Sequence, residues 1–101
     1  MVIIYNLFGD EILKLENLDS LEGADLSYCD LDNADLRNLS LRGTDFSNAS
    51  LIGASFDGSD IEDADFDGAE IADVDFGDAS FFMADNLPIG VGNWRQRHGM
   101  F

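Results

Sequence analysis

The sequence predicts a solenoid. Through thirteen consecutive units a large apolar residue stands at every fifth position, from Leu21 through Leu26, Leu31, Leu36, Leu41, Phe46, Leu51, Phe56, Ile61, Phe66 and Ile71 to Phe76 and Phe81. Two places before most of these centres lies a small residue (Ala24, Cys29, Ala34, Thr44, Ala49, Ala54, Ser59, Ala64, Ala69, Val74 or Ala79), and the residue between is usually Asp, Ser or Glu. Such a period fits neither the roughly 3.6 residues of a helical turn nor the alternation of a flat strand. Fixed self-similarity of this kind marks a stack of units, each burying its apolar residue only against its neighbours.

The units A-D-L-S-Y, A-D-L-R-N, T-D-F-S-N, A-D-F-D-G and V-D-F-G-D resemble the pentapeptide-repeat family, whose pattern is A(D/N)LXX, over residues 19–83. The resemblance implies an all-β fold, a right-handed quadrilateral β-helix in which four units close one square coil. Centre and small residue both point inward in that family. Thirteen units would then give three coils and one further side.

Stacking residues twenty apart sorts the centres into four columns: Leu21, Leu41, Ile61, Phe81; Leu26, Phe46, Phe66; Leu31, Leu51, Ile71; and Leu36, Phe56, Phe76. Every Phe before Phe81 falls in the second or fourth column, on opposite sides of the square. Close packing favours such sorting by size. Two positions depart from the pattern: Leu39 and Asp19 stand where small residues are expected. A distorted corner is expected at Leu39 and a transitional first unit at Asp19.

A short solenoid exposes both ends of its core, and those ends need caps. Residues 1–18 are expected to form an N-terminal capping hairpin, with strand-like runs at Val2 to Phe8 and Glu11 to Glu16 closing at Gly9-Asp10. Residues 19–83 form the β-helix, and residues 84–101 a C-terminal cap or tail after the repeat fails at Asn86 and Pro88. Two readings of that end stay open. Leu87, Ile89 and Trp94 fold over Phe81, or Phe82, Met83 and part of the tail pair with a second copy in a homodimer. C-terminal dimerisation in the family raises the second reading.

No basic region precedes the first apolar run and no stretch reaches a membrane-spanning length, so a cytoplasmic protein without membrane contact is expected. Cys29, the only cysteine, falls at an inward position and reads as a buried space-filler. No cofactor, metal or catalytic set is expected. His98 has no serine or cysteine motif around it, and a line of solvated acids lacks the contrasting environments of acid-base catalysis. Divalent-cation binding by stacked acids is a weaker reading, because no D-x-D-x-D-G loop is present. Gly23, Gly43, Gly53, Gly58 and Gly68 all stand two after a centre, as corner residues would.

Charge is the remaining signal. The chain holds 21 Asp and Glu against 5 Lys and Arg, a net charge of −16. Direct binding to nucleic acid is disfavoured by that charge. On one side the residue before each centre is Asp25, Asp45 and Asp65, with Asp85 beyond the repeat. Asp is the consensus residue there and can bond to nearby turn amides, so the ladder alone says little about function. Acids at outward positions, among them Asp57, Glu62, Asp63, Asp67, Asp73 and Asp78, are less demanded by the fold and are the expected centre of a partner-binding face.

Some pentapeptide-repeat proteins resemble duplex DNA in shape and charge and protect DNA gyrase and topoisomerase IV from quinolones. The resemblance implies an acidic DNA mimic that inhibits or modulates a nucleic-acid-binding protein. Its length argues against a full gyrase mimic: the monomer would cover only about five base pairs. A restriction or CRISPR-type defence complex is an equally fitting target. The alternative is a non-catalytic scaffold whose acids only keep a solenoid soluble.

Overall fold

The computed structural model describes residues 1–80. Phe81, Phe82, Met83, Leu87 and Trp94, the expected capping or dimer residues, lie outside them. Among the described residues the regular elements are strands alone, with no helix long and apolar enough to cross a membrane.

The repeat closes every twenty residues. Parallel pairings join Asp25 to Asp45 to Asp65, Asp30 to Ser50 to Glu70, Asp35 to Ser55 to Asp75, and Ser40 to Asp60 to Ser80. Each paired residue stands just before a centre, so the four columns read from the sequence are the four sides of a β-helix-type fold. The ladder alternates in direction: Leu26 N–H donates to the Asp45 carbonyl at 2.8 Å, and Asp45 N–H donates to the Ala24 carbonyl at 2.9 Å. Backbone groups are thereby satisfied between turns, as buried peptide groups must be.

Within a unit the chain turns sharply. The small residue donates its N–H to the carbonyl of the centre three before it, as from Ala34 to Leu31 and Ala54 to Leu51, both at 3.0 Å. A turn of this kind needs positive φ at its third residue, which favours Gly or Asn. That residue is Gly at 23, 43, 53, 58 and 68, and Asn at 33, 38 and 48. Tyr28, Asp63 and Asp73 share the same left-handed backbone.

The interior is filled by the centres. Leu26, Leu31, Leu36, Leu41, Phe46, Leu51, Phe56, Ile61 and Phe66 are fully buried. Phe46 stacks on Phe66 with ring centroids 5.1 Å apart, and Phe56 on Phe76 at 5.5 Å. Rings of the two columns meet edge to face, Phe46 against Phe56 at 5.5 Å. This is the arrangement preferred by aromatic quadrupoles. The size sorting in the sequence is thus a consequence of two opposed aromatic columns filling one interior.

Leu39 distorts its corner as expected. A leucine does not fit the inward small position, and it turns outward to 39% exposure. Its N–H donates to Ser59 Oγ at 3.0 Å, and the same hydroxyl donates to the Leu36 carbonyl. The buried serine in the next turn therefore replaces the turn bond that Leu39 gives up. Thr44, also buried, donates to the Leu21 carbonyl at 2.6 Å.

The N-terminal segment forms an antiparallel pair, β1 (Val2–Tyr5) and β2 (Glu11–Leu15). The strands are shorter than the sequence suggested. Asn6 Oδ1 accepts from the N–H groups of Phe8 and Asp10 and draws residues 6–10 into the reversal, so it is not a tight turn at Gly9-Asp10. Beyond β1 the chain lies against the first turn: Asn6 bridges Ala34, Leu7 N–H donates to the Asn33 carbonyl, and Asp35 N–H donates to the Tyr5 carbonyl, both at 2.8 Å. Ile4 joins the core at 2% exposure. β1 covers the side around Ala34, while Cys29 on the neighbouring side is only half-buried, a correction to its reading as a buried space-filler.

Candidate functional site

The acids fall into three local settings, each fixed by position within the unit. Those before a centre fold back on the turn that follows. Asp25, Asp45 and Asp65 accept from the N–H two residues on, at 3.0, 2.8 and 2.9 Å. Asp30, Asp35, Asp60 and Asp75 do the same on the other sides. These carboxylates hold the turns, and the ladder is part of the fold.

Acids just after a centre clasp the next turn. Glu62 accepts from Ser80 Oγ at 2.9 Å, and Asp32 accepts from Ser50 Oγ and from Ile52 N–H. Asp57 accepts from the Asp78 N–H at 2.9 Å and lies against Gly77, where an added Cβ would meet the Asp57 carboxylate. Asp57 and Glu62, read from sequence as outward and freely variable, therefore join turns together. Asp67, at the same unit position, is exposed.

Asp63 and Asp73 also stand apart from the freely variable set. Both lie two after a centre, with φ of 62° and 58°. Among residues with a Cβ, only Asn, Asp and a few others tolerate this backbone well. The five-residue period already marks this position, because five glycines share it. Both side chains are exposed, as is Asp78.

Two arginines temper the surface. Arg37 pairs with Asp35 at 2.8 Å, holding the Asp35 carboxyl below its ordinary value, while the pair raises Arg37. Arg42 reaches to the next turn, 3.3 Å from Asp60 and 2.9 Å from Glu62. The Ser27 hydroxyl and N–H lower Asp25. Burial and the nearby Asp25 carboxylate both push the Cys29 thiol up, away from the reactive thiolate. Among the described residues no three or more His, Cys, Asp or Glu side chains converge as a metal site requires.

Round the circumference the acids are shared evenly, and along the axis they are not. Residues 20–39 carry Glu22, Asp25, Asp30, Asp32 and Asp35 against Arg37; residues 40–59 carry Asp45 and Asp57 against Arg42. Residues 60–79 carry Asp60, Glu62, Asp63, Asp65, Asp67, Glu70, Asp73, Asp75 and Asp78, with no cation. Asp60, Glu70 and Asp75 belong to this concentration although sequence reasoning did not single them out. Only the closure every twenty residues places all nine at one level.

No curated protein and no solved structure matches the chain significantly. Two family models do. One, described as pentapeptide repeats in eight copies, matches residues 20–58, and a second, pentapeptide repeats in nine copies, matches residues 40–80. Together they span the stacked turns from Ser20 to Ser80, and the chain belongs to the pentapeptide-repeat family.

Proposed function

We propose that this chain is a non-catalytic protein-interaction module that occupies the basic groove of a nucleic-acid-binding protein, as duplex DNA would. It acts in the cytoplasm as a right-handed rod of about three coils, capped at its start by the β1/β2 hairpin. The supporting observation is the nine acids between residues 60 and 79, a stretch with no cation of its own, where Arg42 of the preceding turn pairs with Asp60 and Glu62. Duplex DNA carries about one charge per 1.7 Å of axis, roughly three over the 4.8 Å rise of one coil. The last described turn exceeds that density, and a basic cleft would be drawn to it by long-range steering. Fitting targets are a topoisomerase or a restriction or CRISPR-type complex.

A scaffold role is the second reading, favoured by the acids before each centre, which hold turns whatever binds outside. Capture from lysate on immobilised protein separates the two. The mimic should retain a nucleic-acid-binding protein that competing duplex DNA and rising salt release. A control variant carries Asp67→Lys, Glu70→Lys, Asp63→Asn and Asp73→Asn, which spares Asp57 and Glu62 and keeps residues suited to positive φ at 63 and 73. It should lose that partner while remaining folded. Retention by the variant, or a partner indifferent to DNA and salt, would leave the scaffold reading standing.

A further inference from the structure

Among the described residues, the N-terminal end presents an apolar face that no other element covers. Alternation along β1 turns Val2 and Ile4 toward the core and Ile3 and Tyr5 away from it. Met1 and Leu7 continue the outer row, at 63% and 40% exposure, with Tyr5 at 46% and Phe8 at 76%. Large side chains gathered on one exposed face mark an interaction surface.

We infer that this face binds a second copy of the chain in a two-fold dimer. The register irregularity between Ile4 and Tyr5 sets Lys14 opposite Ile3 and Glu11 opposite Tyr5, so this base and this acid share the outer face although they lie three apart, with the exposed Glu16 next along from Lys14. A two-fold axis through the patch brings Lys14 of each copy to Glu11 of the other, the reciprocal contact that such symmetry demands. The described residues hold three cationic side chains, Lys14, Arg37 and Arg42, and two of them border this face. Lys14 pairs with Ile3, and Arg37 binds Asp35, whose N–H donates to Tyr5. Joining here also keeps the two most acidic turns apart, whereas contact through residues 60–79 would oppose nine acids with nine. This inference is independent of what the acidic turn binds.

Sedimentation equilibrium of the full chain at micromolar to hundred-micromolar concentration tests it. The expected result is a species of twice 11.1 kDa. Tyr5→Lys with Phe8→Lys should be monomeric, with an unchanged far-ultraviolet spectrum. Lys14→Glu, at an exposed position, should weaken the dimer at least tenfold, and adding Glu11→Lys should restore it. A parent monomeric throughout this range overturns the inference. So does a dimer that neither Lys14→Glu nor the double lysine variant weakens, which would place the interface elsewhere.

Discussion

At the corners, a single atom decides which residue the chain can use. A Cβ on Gly58 would run into Asn38 Oδ1, and Asn33 and Asn48 crowd Gly53 and Gly68 in the same way. Gly58 also has φ of 75°. Gly58→Ala is therefore expected to destabilise by about 1–3 kcal/mol, from backbone strain plus the clash. Adding Asn38→Gly should recover only the part due to the clash, a coupling that urea titration of the double-mutant cycle measures. Arg37 offers a test by pH. Asp35 is lowered from its ordinary value of 3.8 chiefly by its bond to Arg37, so the pair stabilises above that pH and the gain is lost as pH falls through the lowered value. The difference in melting temperature between the parent and Arg37→Ala should be present near neutrality and vanish in strong acid. A difference that persists there would mean that Arg37 acts through packing.

At the level of the turn, the aromatic columns carry the core. Phe66 is fully buried, stacked on Phe46 and edge-on to Phe56 and Phe76. Phe66→Ala should cost about 3–5 kcal/mol by denaturant unfolding. Loss of under 1 kcal/mol would mean the columns do not bear on each other. This level was the most legible in the sequence, because one apolar residue per five and a fixed size pattern leave few ways to fill an interior. Leu39 was legible as a misfit, but its repair was not. That Ser59 supplies the missing bond depends on a contact twenty residues away, which no local pattern reveals. The hairpin was legible as two strands, while its bounds were set by the Asn6 side chain.

For the whole molecule, charge opposes compactness. Nine acids at one level of the rod repel one another, and salt screens that repulsion within about 10 Å at 0.1 M. The melting temperature should therefore rise as sodium chloride is added, and calorimetry across a salt series would show it. A fall on adding salt would mean that the pairs of Arg42 with Asp60 and Glu62 outweigh the repulsion. The acidity was plain from composition, but its placement was not. Asp57 and Asp67 share a unit position in the sequence, and only the neighbours of Asp57 in the next turn separate a clasp from an exposed acid.

The crowding of glycine by asparagine also gives the turns an order that shuffling would disturb. Asn33 and Asn38 lie beneath Gly53 and Gly58, and above those come Asp73 and Asp78. Were residues 20–39 copied in tandem, asparagine would stack on asparagine at two corners of one turn, where the structure places glycine. A tandem copy would therefore stack well only if the lower asparagine side chains swung aside or the corners were edited together with the length.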